Sequence, residues 1–283
     1  MSTLLGVRAG EITLAAEVSG EGIPVVYLHG LGGCRRYAQE QWGAAVSHCQ
    51  LITFDQRGHG ESSPVTDLAL YDPKLLGADI AAVLDALHIE RAIVGGASMG
   101  ACAALHFALA RPDRTIALLQ TGPAFHARPN RNRPALLRMA RLLEQRGIEG
   151  TIAVLTREWQ RLNMPPEAIA EMARLYRSYH PKSMAAAYRA VANWTLSLEP
   201  LHELRMPTFI LAWEGDPQHD IAIAREMTAL LPNARLEVIP GVFTPDLGVR
   251  YWAMLESVIG DALPETGPAP QAAKGPDDTS ILP

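Results

Sequence analysis

The sequence predicts an α/β protein, a mostly parallel sheet with helices on both faces and an all-helical insertion between two of its strands. Three observations predict it. Short apolar runs rich in β-branched residues alternate with segments of helical periodicity, the pattern of β-α-β units whose strands are buried on both sides. The interval 125–205 breaks that alternation, with helix-like periodicity and no strand pattern. A serine framed by glycines, Gly96-Ala97-Ser98-Met99-Gly100, stands where one strand run passes into a helical segment.

Taken in order, Leu4 to Val18 alternates around Ala9-Gly10 and predicts a β-hairpin. Buried strands are expected over Pro24 to Leu28, Leu51 to Phe54, Ala92 to Gly95, Thr115 to Leu119, Thr208 to Trp213 and Leu236 to Ile239. Helices are expected over Tyr37 to Val46, Pro73 to Leu87, Met99 to Ala110, Ile221 to Leu231 and Leu247 to Ile259. The chain then divides into a core of 1–124 and 206–260, a helical insertion of 125–205 and a tail of 261–283. Five prolines and little apolar content predict that this tail is disordered.

Composition narrows the function classes. At 283 residues, 48% hydrophobic and 19% charged, the chain suits one large globular core. Its apolar runs, such as Ile80 to Leu84 and Phe209 to Trp213, fall far short of the roughly 18 residues of a spanning helix, so no membrane partner is expected. Met1 to Gly20 contains Arg8, Glu11 and Glu17 and lacks the pattern of a secretory signal, which makes the cytoplasm the expected compartment. Cys34, Cys49 and Cys102 show no paired spacing, so neither a disulfide framework nor a metal site is expected. A net charge of −5 gives no reason to expect nucleic acid.

The motif around Ser98 has a physical rationale. A serine on a strained strand-to-helix turn exposes its hydroxyl, and small neighbours let strand and helix approach. The helix N-terminus favours negative charge developing beside it. The competing account is a glycine-rich turn with a capping serine. Upstream, His29-Gly30-Leu31-Gly32-Gly33 follows the strand ending at Leu28 and can present backbone N–H groups to an oxyanion, with Leu31 and Met99 as the natural pair. It is not a Walker phosphate loop, because the Gly-Lys-Ser/Thr ending is missing.

These motifs, with Asp55-Gln56-Arg57-Gly58-His59-Gly60-Glu61-Ser62 and Gly215-Asp216-Pro217 after a later strand, resemble the α/β-hydrolase superfamily from about Pro24 to Gly260. Within it the chain looks most like the capped small-molecule esterases, enol-lactonases and carbon–carbon bond hydrolases. The resemblance implies Ser98 as nucleophile, Leu31 and Met99 at the oxyanion hole, Asp216 in the acid position and the insertion of 125–205 as a helical cap. It departs from the family at one place. The family's histidine follows the last strand, where this chain reads Ile239-Pro240-Gly241-Val242-Phe243-Thr244-Pro245-Asp246, with Thr244 in the histidine's position.

A serine needs a neighbouring base, and His219, three residues beyond Asp216, is the first candidate; a polar residue opening the next helix is its bland alternative. His126 begins the cap and is either a pocket residue or a hinge. His29 and His59 lie in loop motifs, where structural hydrogen bonding competes with function. Cys102, one helical turn after Ser98, reads as a packing residue. His29, His126, Trp159 and Trp194 are the candidate substrate contacts. The cap holds twelve arginines and Lys182 against seven glutamates and no aspartate, so either it carries a solvated basic face or some arginines hold an anionic substrate. Three functions follow: a cofactor-independent hydrolase of an ester, lactone or related bond of a small molecule; a ligand-binding protein on the same scaffold; and a non-hydrolytic lyase or isomerase.

Overall fold

The computed structural model describes residues 2–124, 131–240 and 247–259. The expected hairpin is present as β1 (Ser2–Ala9) and β2 (Ile12–Ser19), antiparallel and closed by Ala9 opposite Ile12. It joins β3 (Ile23–Leu28), β4 (Cys49–Phe54), β5 (Ala92–Ala97), β6 (Thr115–Thr121), β7 (Thr208–Trp213) and β8 (Ala234–Ile239) in one sheet of order β1-β2-β4-β3-β5-β6-β7-β8. Strands from β4 onward pair in parallel, and β2 pairs with β4 antiparallel.

The central strands are mostly apolar because both sheet faces are covered. On one face α2 (Pro73–Ala86), α3 (Met99–Ala110) and α7 (Ile221–Leu230) bury Leu76, Ile80, Phe107, Ile223 and Met227 against Val26, Leu28, Val94 and Leu118. On the other, α1 (Arg35–Trp42) and α8 (Leu247–Ile259) bury Trp42, Tyr251 and Leu255 against Tyr27, Leu51, Ile93 and Phe209. Asp72 and Asp220 accept the first-turn N–H groups of Lys74 and Ala222, capping α2 and α7. The helix expected over Tyr37 to Val46 is shorter than its periodicity implies. Gly43, at φ 45°, ends α1 and the chain continues as a 3-10 turn over Gly43–His48.

Between β6 and β7 the described residues hold α4 (Arg133–Arg161), α5 (Pro166–Arg177) and α6 (Pro181–Val191), with no strand among them. Gly147 (φ 62°, ψ −167°) breaks α4 into two arms. These helices share a third cluster built on Leu143, Ile152, Tyr176, Tyr179, Met184 and Tyr188. Ser183 fastens them to the core: its Oγ accepts from Val65 N–H at 2.9 Å and reaches the Gly58 carbonyl at 3.1 Å.

Strand order sets where a ligand can sit. The chain moves from β3 outward to β4, then returns past β3 to β5, so the loops leaving the carboxyl ends of β3 and β5 part at a topological switch point. Those loops begin at His29 and Ser98.

Candidate active site

Ser98 occupies φ 52°, ψ −107°, a left-handed conformation that costs a non-glycine residue about 1–3 kcal/mol. Its N–H donates to the Thr121 carbonyl at 2.9 Å, tying the turn to β6. Its side chain makes no capping hydrogen bond, which removes the capping-serine account of the motif. Met99 opens α3, and helix geometry leaves the N–H of that first position without an intrahelical partner.

The flanking glycines are required by contact. A Cβ on Gly96 would lie 2.6 Å from the Gly100 carbonyl carbon, and one on Gly100 would lie 2.5 Å from the Leu28 oxygen and 2.7 Å from the His29 oxygen. All are backbone atoms that cannot swing aside. Gly100→Ala is therefore expected to destabilise the fold by about 1–3 kcal/mol, read as a lower denaturant midpoint at unchanged m-value.

The loop after β3 runs beside the serine: a Cβ on Gly30 would lie 3.5 Å from Ser98 Cβ. Gly33 N–H closes a turn onto the Gly30 carbonyl at 2.9 Å, and the Tyr179 hydroxyl of the inserted helices donates to the Gly32 carbonyl. Two buried imidazoles support the loop. His29 Nε2 accepts from Gln56 N–H at 3.1 Å, so its Nδ1–H donates to the Gly30 carbonyl at 2.8 Å. His59 Nε2 accepts from Gly32 N–H at 3.3 Å and its Nδ1–H faces the Arg57 carbonyl at 3.0 Å. Burial pushes the pKa of His29 down to about 4 and that of His59 to about 3, so both are neutral at pH 7. His29, expected among the substrate contacts, is 2% exposed with both ring nitrogens spent on backbone, so it shapes the loop from behind. Leu31 is half-buried and packs on both the sheet cluster and that of the inserted helices.

Asp216 and His219 meet on the loop after β7. Asp216 Oδ2 accepts from His219 Nδ1 at 2.6 Å, while Oδ1 accepts from the N–H groups of Gln218 (2.7 Å) and His219 (3.2 Å). Burial opposes ionisation of this carboxyl, but the hydrogen bonds from His219 and the two amides outweigh it and hold its pKa below the ordinary value. With Nδ1–H given to Asp216, the neutral imidazole keeps Nε2 as its acceptor nitrogen. The ring lies against Gly122, where an added Cβ would sit 3.1 Å from His219 Cγ. Gly122 directly follows Thr121, whose carbonyl holds Ser98 N–H. The dyad thus flanks the residue next to the serine's own anchor. Among the described residues no histidine is hydrogen-bonded to Ser98 Oγ.

Beside Ser98 a small cavity is lined by Cys102, Leu105, Gln120, Pro123, Ala124, Leu196 and Met227, none of them charged. Of these, sequence reading singled out only Cys102; Leu196 and Met227 come from remote segments whose convergence no local pattern signals. Burial raises the Cys102 thiol to about 12, so it lines the cavity as a neutral group. Trp159 packs edge-on against Tyr176 at 5.9 Å, and Trp194 is buried in the core cluster. The arginines described between 131 and 205 are exposed apart from half-buried Arg189, and Arg138, Arg177 and Arg189 pair with Glu158, Glu149 and Glu144. Among the described residues this agrees with the solvated basic face that the sequence offered as one of two readings. His126, Thr244 and the tail 261–283 lie outside the described residues. Among the described residues no cluster of three metal-ligating side chains occurs, and no helix is long and apolar enough to cross a membrane.

A family profile described as alpha/beta hydrolase fold matches residues 23–243. The chain is 28% identical over 255 residues to 3-oxoadipate enol-lactonase 1 of Acinetobacter baylyi, covering 84% of this chain and 88% of that protein. In solved structures its fold is similar to a thermophilic esterase from Thermogutta terrifontis (TM-score 0.74, 22% identity, 93% of this chain and 100% of that one). It is also similar to the enol-lactonase from Burkholderia xenovorans LB400 (TM-score 0.73, 19% identity, 90% and 98%).

Proposed function

Since the chain belongs to the alpha/beta hydrolase fold family, we propose that it is a serine hydrolase acting, without a cofactor, on an ester, lactone or related bond of a small molecule. The observation that carries this reading is Ser98, held strained and uncapped beside the Asp216–His219 pair. Ser98 Oγ attacks the carbonyl carbon as its proton passes to His219 Nε2. The oxyanion is held by the N–H groups of Leu31 and Met99, and Asp216 keeps the imidazole in the Nδ1–H tautomer and balances its charge. The imidazolium then protonates the leaving oxygen, and water cleaves the acyl-enzyme by the same route. Residues 125–205 act as a cap over the core formed by 1–124 and 206–260, and the cytoplasm is the proposed compartment.

Because Ser98 Oγ and His219 share no direct hydrogen bond, this chemistry requires the imidazole to close on the serine when substrate binds, as apo geometry commonly leaves such bonds long. That same gap favours, as second reading, a protein that binds its ligand without turning it over. A fluorophosphonate probe separates the two: stoichiometric labelling at Ser98, located by peptide mass spectrometry, supports the hydrolase, and an unlabelled folded protein supports the binder.

The cavity chemistry narrows the substrate. An acyl group entering a site lined by Leu105, Leu196 and Met227 gains from apolar contact, whereas a carboxylate there finds no cation among the described lining residues. We expect kcat/KM for p-nitrophenyl butyrate to exceed that for mono-p-nitrophenyl succinate by about tenfold or more. Equal values would show that charge is accommodated elsewhere.

A further inference from the structure

We propose that Arg131 and Asn132 form a clamp, fixed to the inserted helices, that positions the Asp216–His219 pair. It deepens the reading of His219 as base and rests on it for its catalytic consequence. The segment from Asp216 to His219 turns its amides inward, where Gln218 and His219 N–H both bond Asp216 Oδ1. Its carbonyls are left facing outward, and the first described residues of the insertion meet them. Arg131 Nη2 donates to the Asp216 carbonyl at 3.1 Å and to the Pro217 carbonyl at 3.3 Å, and Asn132 Nδ2 donates to the Gln218 carbonyl. Arg131 Nη1 pairs with Asp220 Oδ2 at 3.5 Å, while Asp220 Oδ1 caps α7 through Ala222 N–H at 3.0 Å. Every residue from Asp216 to Gln218, and the cap of the next helix, is thereby tied to two neighbouring side chains.

The residue types suit this task. A guanidinium spans adjacent carbonyls and a carboxylate from one rigid plane, which an ammonium cannot do. The ion pair with Asp220 is surface-exposed and stabilises little by itself; its effect is to aim the fork at the two carbonyls. The clamp's other end is firm as well. Asn132 immediately precedes α4 and its carbonyl accepts from Leu136 N–H at 3.0 Å, and the buried Ala140 and Leu143 of that helix pack in one cluster with Met184 and Tyr188 of α6. Movement of the inserted helices therefore carries the base loop with it. Nothing local in the sequence pairs residues 131 and 132 with a loop about eighty-five positions away.

The test compares Arg131→Met, Arg131→Lys, Asn132→Ala, His219→Ala and the Arg131→Met/His219→Ala double variant. With p-nitrophenyl butyrate, Arg131→Met is expected to lower kcat by about 10- to 100-fold, as an ångström-scale misplacement does, with KM within about twofold. In proton NMR spectra the downfield His219 Nδ1–H resonance should broaden or vanish in Arg131→Met and weaken in Asn132→Ala, and Arg131→Lys should recover only part of both. The double variant should be no slower than His219→Ala, since the clamp acts through the imidazole. Wild-type kcat with an unchanged Nδ1–H resonance in both Arg131→Met and Asn132→Ala would overturn the proposal. So would the same loss of rate from Arg131→Met in the His219→Ala background. If the resonance is lost in Arg131→Met while His219→Ala keeps wild-type activity, the clamp stands and His219 falls as the base.

Discussion

Ser98→Ala is expected to abolish fluorophosphonate labelling and to lower ester turnover on the order of 10⁴-fold or more, because no other described group at the cavity can replace the lost nucleophile. Cys102 shares the cavity, but burial raises its thiol to about 12 and leaves no appreciable thiolate at pH 7. The fold should hardly respond. Ser98 Oγ caps nothing, and the N–H bond to the Thr121 carbonyl survives the change, so stability should stay within about 0.5 kcal/mol of wild type. Ser98→Gly sharpens the argument. Glycine accepts φ 52° without strain, so this variant should melt higher than Ser98→Ala while remaining equally inactive. A serine kept where glycine is more stable is the signature of a residue retained for chemistry. Wild-type turnover in either variant would refute Ser98 as nucleophile.

What the sequence makes legible, and what it hides, follows from the range of the forces involved. Strands such as Val25 to Leu28 and Ile93 to Gly96 are readable because burial on both faces demands unbroken apolar runs, a local signal. The turn at Ser98 is readable because backbone atoms of Leu28 and His29 leave no room for a Cβ at Gly100, so only glycine fits. The pairing of Asp216 with His219 is also local, spanning three residues. His29 illustrates the limit: its partner, Gln56 N–H, comes from a loop 27 positions on, so sequence cannot separate a buttress from a ligand contact. The arginines between 131 and 205 show another limit. Their number is plain from the sequence, but their direction depends on which helix faces the third cluster buries. Helix α1 ends early because Gly43 takes a positive φ that periodicity alone does not reveal.

His219→Ala carries the second large effect. None of the described residues lining the cavity supplies a base that could replace the imidazole, and kcat should fall on the order of 10³-fold or more, leaving the contribution of the oxyanion hole and binding. KM should change little, because the imidazole acts on the transition state rather than on bound substrate. The variant also has an independent thermodynamic mark. In the folded protein the Asp216 carboxyl is held below its ordinary value, with His219 the largest of the favourable contacts against the opposing effect of burial. A depressed carboxyl pKa stabilises the fold fully above the unfolded-state value near 4, and that stabilisation is lost as pH falls through the folded-state value. Removing His219 should shrink this difference, so the Tm of His219→Ala should vary less with pH across the acid range than that of wild type. Loss of rate together with this flattened acid dependence identifies the Asp216–His219 pair as one functional unit. Retained rate with a flattened Tm profile would keep the pair as a structural element only and pass the search for the base to His126.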